Sequence, residues 1–213
     1  ASFGHCLHSG LTDNPSPARQ AGPSACRQNQ YSEAPLNRQA RAAAPASFCV
    51  IGAGAVGAHM AARLALAGHP VSVLARGPQL SAIQHDGIQV ELPGRTLHAD
   101  AKLIRVSDDP GQLGSADFVI VTVKSPSIPA IAPLLPRVMH DESSVVFVQN
   151  GIPWWYFHGL ARPEPLIASR LRLDDMVRHV PLDRVLGCVV HSSSHIPSPG
   201  IVSVERLNNR LIF

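Results

Sequence analysis

The chain has 213 residues, which is enough for one sizeable domain and a tail. Its residues are 45% hydrophobic, as in a packed α/β core, and its net charge of +3 is too small to indicate a nucleic-acid partner. No apolar run approaches the roughly 20 residues that a membrane-spanning helix needs. The 4 cysteines include no C-x-x-C pair, and Cys49 and Cys188 lie in apolar runs. We therefore expect a reduced, cytoplasmic protein with no membrane partner.

Residues 1–46 are rich in Ala, Pro, Ser, Gln and Arg and show no sustained hydrophobic period. We interpret this segment as a disordered extension, or as sequence that is not native to the domain. Because its arginines outnumber its acidic residues, an organellar transit peptide is a further alternative. The predicted domain occupies residues 47–213.

The domain is organised around a glycine motif. A short apolar strand at residues 48–51 ends in Gly52-x-Gly54-x-x-Gly57, and an alanine-rich helical pattern runs over residues 56–67. In a dinucleotide-binding motif the three glycines permit a tight turn, a close approach of the pyrophosphate, and close packing of helix on strand. The N–H groups at the start of the helix then bind the phosphates. A plain turn is the alternative. The residues predicted to bind the dinucleotide are Gly52, Ala53, Gly54, Ala55, Val56 and Gly57.

A second strand is predicted at residues 70–75, which completes a right-handed strand–helix–strand unit. NAD-dependent enzymes usually carry Asp or Glu at the end of this strand, about 20 residues after the glycines. This chain has Arg76 there, and no acidic residue follows before Asp86. Because guanidinium pairs well with phosphate, we predict that Arg76 binds the 2′-phosphate of NADP(H). A solvated surface arginine is the alternative.

The later part of the chain continues the α/β pattern. Near-continuous apolar runs at residues 117–123 and 144–148 are typical of parallel strands that are buried on both faces. The predicted fold is therefore a Rossmann-type, doubly wound parallel sheet with an extra small antiparallel hairpin. The other predicted elements are short helices at 78–83, 108–114 and 128–139, a hairpin over 87–92 and 96–99, a strand at 185–190, and edge strands at 201–204 and 211–213.

Polar residues follow directly on the two buried strands, Lys124 on the first and Asn150 on the second. In an open α/β sheet, ligands bind beyond the carboxyl ends of the strands. We therefore expect Lys124 and Asn150 to face the same crevice as the glycine loop, with ordinary loop polarity as the alternative.

Two further groups carry less specific signals. His191 and His195 are four residues apart on a predicted strand-to-loop stretch, where this spacing does not converge on a metal ion, so we predict no metal site. Trp154 and Trp155 have three alternative roles: to wall the nicotinamide, to cover a domain interface, or to pack in the core.

Taken together, these residues resemble ketopantoate reductase (2-dehydropantoate 2-reductase). The resemblance rests on the glycine motif, Arg76, the V-T-V-K-S run that contains Lys124, and V-Q-N-G at residues 148–151. It extends from about residue 47 to the C-terminus. It implies NADPH-dependent reduction of 2-dehydropantoate to (R)-pantoate, a step of pantothenate and hence coenzyme A synthesis.

The resemblance also implies roles for individual residues. The glycine loop and Arg76 bind NADP, and Lys124 contacts the cofactor near the nicotinamide ribose. Asn150 touches both cofactor and substrate. Ser193 lies in the segment V-H-S-S, which resembles a family strand that gives the nicotinamide a backbone contact.

The sequence departs from the family in one respect. Family members have a second, mostly helical domain that supplies the lysine proton donor and most substrate contacts. This sequence stops at Phe213 and contains no lysine after Lys124. We therefore expect a fragment or truncated product that carries the cofactor half of the site and no catalytic residue. The alternatives are a non-catalytic NADP-binding module and a reductase of another 2-keto acid. The oligomeric state stays open, with a homodimer as one alternative.

Overall fold

The computed structural model describes residues 44–156, 158, 176–206 and 210–213, so the predicted extension lies almost entirely outside the described residues. The α-helices whose full range is described are α1 (Ala55–Leu66), α2 (Gly77–Asp86) and the single turn α3 (Ile128–Ile131). The strands are β1 (Phe48–Ile51), β2 (Val71–Leu74), β3 (Ile88–Leu92), β4 (Arg95–Ala99), β5 (Ile104–Ser107), β6 (Phe118–Val121), β7 (Ser144–Val148), β8 (Val185–His191), β9 (Ser194–Ser198), β10 (Ile201–Val204) and β11 (Arg210–Ile212).

A seven-stranded sheet forms the frame, with the order β11-β8-β7-β6-β1-β2-β5. Every strand in it runs parallel to its neighbours except β11, which pairs antiparallel with β8 at one edge. The chain leaves β1 towards β2 and later returns to the other side of β1 as β6. This reversal of direction is the switch point at which open α/β sheets bind ligands. The predicted Rossmann-type sheet is confirmed, and its edge strand β5 is an addition to the prediction.

Both faces of the large sheet are covered, which explains the continuous apolar runs. Alternate residues of β1 and β6 point to opposite faces. Val50 and Ile120 join one core cluster with α1 and the small sheet, whereas Ile51 and Val121 join the other cluster with the segment that follows β6. Alanines on α1, including the fully buried Ala61, allow the helix to lie close to the sheet.

The predicted hairpin is confirmed as β3 and β4, and it belongs to a second sheet with the order β4-β3-β10-β9. The prediction that residues 201–204 form an edge strand is wrong, because β10 lies between β3 and β9. Strand β9 was not predicted, since its sequence S-H-I-P-S carries a proline and few apolar residues. The edge position predicted for residues 211–213 is confirmed for β11.

The helix predicted over residues 128–139 forms only in part. The single turn α3 continues as a 3₁₀ helix, Ala132–Val138, with Pro136 inside it. Proline lacks the N–H that an α-helix needs, so Pro129, Pro133 and Pro136 prevent a regular α-helical ladder. The helix predicted at 108–114 is likewise a short 3₁₀ turn, Pro110–Gln112.

A polar cluster ties together the amino ends of β1, β6 and β7. We call Ser47, Asp117, His140 and Ser143 the amino-edge cluster. The backbone N–H and the hydroxyl of Ser47 both donate to Asp117 Oδ2 at 2.7 Å. His140 Nε2 lies 3.3 Å from Asp117 Oδ1. The fully buried Ser143 donates through Oγ to the Ala116 carbonyl at 2.7 Å and accepts from the N–H of His140.

The tryptophans pack in the core, as one of the three alternatives proposed. Trp154 is 3% exposed, and its ring meets those of Phe147 and Trp155 at centroid distances of 5.6 and 5.4 Å.

Cys49 and Cys188 are buried free thiols, and burial raises the pKa of Cys49 to about 11. Within the described part of the chain, none of the helices has the length and apolar character to cross a membrane.

Candidate functional site

A cleft of about 1180 Å³ opens at the carboxyl ends of β1, β2, β6 and β7. We call it the carboxyl-edge cleft. It lies over the switch point of the large sheet, where the chain departs in opposite directions from β1 and β6. The structure therefore brings together residues that the sequence separates widely. The sequence-predicted site residues that line the cleft are Gly52, Ala53, Gly54, Ala55, Val56, Arg76, Lys124 and Asn150.

The three glycines of the motif meet different constraints. Gly52 has a φ of +105°, and a Cβ there would lie 2.9 Å from Val123 Cγ1. A Cβ on Gly57 would overlap the Gly52 carbonyl oxygen and Thr122 Oγ1, so Gly57 lies under the loop and outside the cleft lining. A Cβ on Gly54 would meet nothing within 4 Å. The space beside Gly54 is open to the cleft, which fits the close approach of a pyrophosphate.

The N–H groups of the glycine loop are available to a ligand, whereas its carbonyl oxygens accept hydrogen bonds from the protein. Thr122 donates through Oγ1 to the carbonyl oxygens of Gly52 at 2.8 Å and Ile51 at 3.2 Å. In contrast, the N–H groups of residues 53–56 have no acceptor among the described residues, as expected at the start of helix α1. Free N–H groups and the positive end of a helix dipole form a site for an anion.

Arg76 follows β2 and lies in the cleft lining with its side chain exposed. Asp108 lines the same cleft, because β5 pairs with β2 and ends beside it. Neither side chain has a hydrogen-bond or ion-pair partner in the part of the chain that the structure describes. This end of the cleft therefore offers one free guanidinium and one free carboxylate. Asp108 was not predicted from the sequence, because the acidic residue expected in such sites follows the second strand.

Lys124 follows β6 and stands at the start of a 3₁₀ turn, Ser125–Ser127. Its backbone carbonyl accepts from the N–H of Ser127 at 2.8 Å, and its side chain is exposed. The ammonium group has no partner within the described segments. It is the only lysine of the cleft lining.

Asn150 follows β7, and its side chain pairs with the backbone of Val190 in β8. Its Nδ2 donates to the Val190 carbonyl at 2.9 Å, and its Oδ1 accepts from the Val190 N–H at 3.0 Å. This pair extends the β7–β8 ladder by one side chain. An amide has a second N–H and a second lone pair, so Asn150 keeps capacity for a ligand while the pair holds it in place.

Ser193 lies outside the cleft lining. Its hydroxyl donates to Glu205 Oε2 at 2.7 Å, and its backbone carbonyl accepts from the N–H of Glu205. His195 also faces Glu205, with Nδ1 3.8 Å from Oε1. The described residues contain no cluster of three or more metal-ligating side chains.

Several residues of the cleft lining were not predicted from the sequence, among them Thr122, Asp108 and Gln79. Thr122 could have been found, since a polar residue stood inside a predicted buried strand. Asp108 depends on β5, which was not predicted. Gln79 gave no signal in the sequence. It lines the cleft and joins the Ala53 carbonyl to the N–H of Gly200, which is 121 residues away in the chain.

Residues 48–213 match the family described as ketopantoate reductase PanE/ApbA. The chain belongs to the ketopantoate reductase family. It is 37% identical over 162 residues to a 2-dehydropantoate 2-reductase of Mesorhizobium japonicum, and the match covers 72% of this chain and 47% of that protein.

Solved structures of the ketopantoate reductase family share the fold. A candidate ketopantoate reductase of Ralstonia solanacearum has 36% identity and a TM-score of 0.65, over 76% of this chain and 50% of that one. A 2-dehydropantoate 2-reductase of Porphyromonas gingivalis has 24% identity and a TM-score of 0.62, over 78% and 54%. The chain thus spans about half the length of the relatives that it matches.

Proposed function

We propose that the chain binds NADP(H) in the carboxyl-edge cleft and serves in the reduction of 2-dehydropantoate to (R)-pantoate. The observation that carries this proposal is the set of hydrogen-bond donors that line the cleft. Among the described residues, the N–H groups of the glycine loop and the guanidinium of Arg76 have no partner, and both line the same cleft. These groups match the pyrophosphate and the 2′-phosphate of the cofactor.

Different residues of the cleft would bind different groups of the cofactor. The loop at residues 52–56 would hold the pyrophosphate, and Arg76 would hold the 2′-phosphate. Lys124 and Asn150, at the ends of β6 and β7, would lie towards the nicotinamide ribose and the substrate. When bound, the nicotinamide supplies the hydride that reduces the ketone. Asn150 is fixed by Val190 and would orient ligand through its second N–H.

Reduction of a ketone also needs a proton at the developing alkoxide, usually from a positioned side chain. Among the lining residues, Lys124 carries the only ammonium, and we assign it to the cofactor. We therefore propose that the proton donor lies outside the cleft described above. The related proteins are about twice as long as the matched segment, which leaves room for such a group.

Calorimetric titration with NADPH and NADH tests the cofactor proposal. Arg76→Ala should weaken NADPH binding by about 10- to 150-fold, the equivalent of about 1.5–3 kcal/mol for hydrogen bonds to a charged group. NADH lacks the 2′-phosphate, so its affinity should hardly change. Arg95→Ala is the control, since Arg95 is exposed in the β3–β4 hairpin and outside the cleft. Equal losses for both cofactors would contradict the assignment of Arg76.

The second candidate function is an NADP-binding module without chemistry. It is favoured because the described cleft lining offers a single ammonium, that of Lys124, and we assign this group to the cofactor rather than to the substrate. The two candidates are separated by following NADPH absorbance with 2-dehydropantoate. We expect the 213-residue chain to bind NADPH but to turn over far below the ordinary enzyme range of about 1–10³ s⁻¹. Turnover within that range would show that the proton donor is present in this chain.

A further inference from the structure

Each peptide carbonyl of the glycine loop is held by a donor on the protein side. Thr122 holds the Gly52 carbonyl, and the N–H of Ala58 holds that of Gly54 at 2.8 Å. The Ala53 carbonyl is held by a side chain from another element, since Gln79 Nε2 in α2 donates to it at 2.9 Å. A carbonyl oxygen that faced the cleft would repel an anion, so these three contacts favour anion binding.

The contact at Ala53 has a second consequence through the geometry of the peptide. The C=O of Ala53 and the N–H of Gly54 belong to one planar trans peptide and point in opposite directions. Holding the Ala53 carbonyl against Gln79 therefore fixes the direction of the Gly54 N–H. Gly54 has no Cβ to resist rotation of this peptide, so the side-chain contact is the restraint.

The other end of the Gln79 amide is also engaged. Its Oε1 accepts from the N–H of Gly200 at 2.6 Å. Gly200 has a φ of +79° in the turn between β9 and β10, and its carbonyl accepts from the N–H of Gln89 in β3 at 2.9 Å. The half-buried Gln79 thus ties the glycine loop to the small sheet, from which Ile196 of β9 reaches the same cleft.

We propose that Gln79 is a positioning residue for the cofactor pyrophosphate. It turns the Ala53 carbonyl away from the phosphate, aims the Gly54 N–H, and sets the small sheet against the loop. This inference rests on the proposed function, because it concerns the binding of NADP(H) in the carboxyl-edge cleft.

The test compares two ligands that share the 2′-phosphate. NADPH contains the pyrophosphate, whereas adenosine 2′-monophosphate lacks it and would engage Arg76 alone. Gln79→Met keeps the volume of the side chain and removes both hydrogen bonds. We expect this variant to weaken NADPH by roughly 5- to 30-fold, the loss of one or two hydrogen bonds, and to leave adenosine 2′-monophosphate within about twofold of wild type.

Gln84→Met is the matched control, because Gln84 is exposed on the same helix and outside the cleft lining. It should bind both ligands like wild type. If Gln79→Met fails to fold, Gln79→Leu carries the test, since a neutral apolar side chain removes both hydrogen bonds without placing a charge in the cleft lining. The loss of NADPH affinity with adenosine 2′-monophosphate retained is expected again.

The outcomes separate the inference from the function on which it rests. Equal weakening of both ligands would mean that Gln79 only supports the fold, and no weakening would mean that the loop needs no restraint; either result overturns the inference. A wild-type chain that binds neither ligand at millimolar concentration would overturn the proposed function itself.

Discussion

Polar side chains lie at both ends of the large sheet, but their hydrogen bonding differs between the two ends. At the amino ends, Ser47, Asp117, His140 and Ser143 satisfy one another across β1, β6 and β7. At the carboxyl ends, polar groups are held in position and yet left open. The polar residues of one end therefore stabilise the fold, whereas those of the other are available to a ligand.

The glycine loop shows how this openness arises from packing. Its carbonyl oxygens accept from donors in α1 and α2 and from Thr122, which follows β6, while its N–H groups have no acceptor among the described residues. Arg76 and Lys124 are likewise unpartnered in that part of the chain. In the amino-edge cluster, by contrast, Ser47 and Asp117 exchange several hydrogen bonds at 2.7–3.0 Å.

The largest expected effect is a loss of stability on substitution of Gly57, which packs under the loop, in contrast to Gly54, which faces the cleft. Gly57→Ala places a Cβ against the Gly52 carbonyl and Thr122 Oγ1, so we expect a loss of about 3 kcal/mol in the free energy of unfolding. Gly54→Ala meets open space at a φ of −71°, so stability should change by less than about 1 kcal/mol. Its NADPH affinity should fall, because the methyl group enters the cleft. Urea unfolding and calorimetry measure the two effects, and a Gly54 variant as unstable as the Gly57 variant would contradict this division.

A smaller effect is expected in the amino-edge cluster. Ser143→Ala removes a buried hydroxyl that donates to the Ala116 carbonyl and accepts from the N–H of His140. We expect a cost of about 1–3 kcal/mol in the free energy of unfolding, since buried partners lose their hydrogen bonds. NADPH affinity should stay at the wild-type value. A clear fall in affinity would show that the two ends of the sheet are coupled.

The acid stability of the chain depends on the same cluster. The backbone N–H and hydroxyl of Ser47, followed by His140, lower the pKa of Asp117 below its ordinary value of 3.8. Because the folded-state pKa is the lower one, ionised Asp117 stabilises the fold above pH 3.8, and this stability is lost as the pH falls through the folded-state value. Asp117→Asn should therefore flatten the fall in unfolding free energy between about pH 5 and pH 2. Identical pH profiles for variant and wild type would remove Asp117 from this role.

The smallest effect is expected from the N-terminal segment. We propose that residues 1–43 are dispensable for folding, and their deletion should leave the thermal midpoint within a few degrees. Deletion through residue 46 should cost more, because the Ala46 carbonyl accepts from His69 Nδ1 at 3.0 Å. Scanning calorimetry of both truncations makes the comparison. A large fall on removing residues 1–43 would mean that this segment packs against the domain.

The parts of the structure that sequence predicts well are those with local causes. The glycine motif combines a strand, a turn and a helix start within about a dozen residues. The sequences of β6 and β7 are continuous apolar runs, which are typical of parallel strands buried on both faces. The carboxyl ends of parallel strands lie at one edge, so Lys124 and Asn150 could be placed in one cleft without knowledge of the rest.

The features that escaped prediction depend on distant pairings. Strand β5 has an exposed Arg105 in a four-residue stretch and forms only because β2 offers it an edge. Asp108 could not be placed without that strand. The hydrogen bond between Gln79 and Gly200 depends on the position of the small sheet, and no local sequence pattern indicates either residue. The pairing of Asn150 with Val190 is another such contact.

Backbone amide NMR during titration with NADPH tests whether the cofactor binds at the carboxyl ends of the large sheet, because it reports on both ends of the sheet in one experiment. We expect saturable shifts for the amides of residues 52–56 and Arg76, and no shifts for the amides of Ser47, Asp117 and Ser143. Saturable shifts centred on the amino-edge cluster, or no saturation at millimolar NADPH, would contradict the assignment of the carboxyl-edge cleft as the cofactor site.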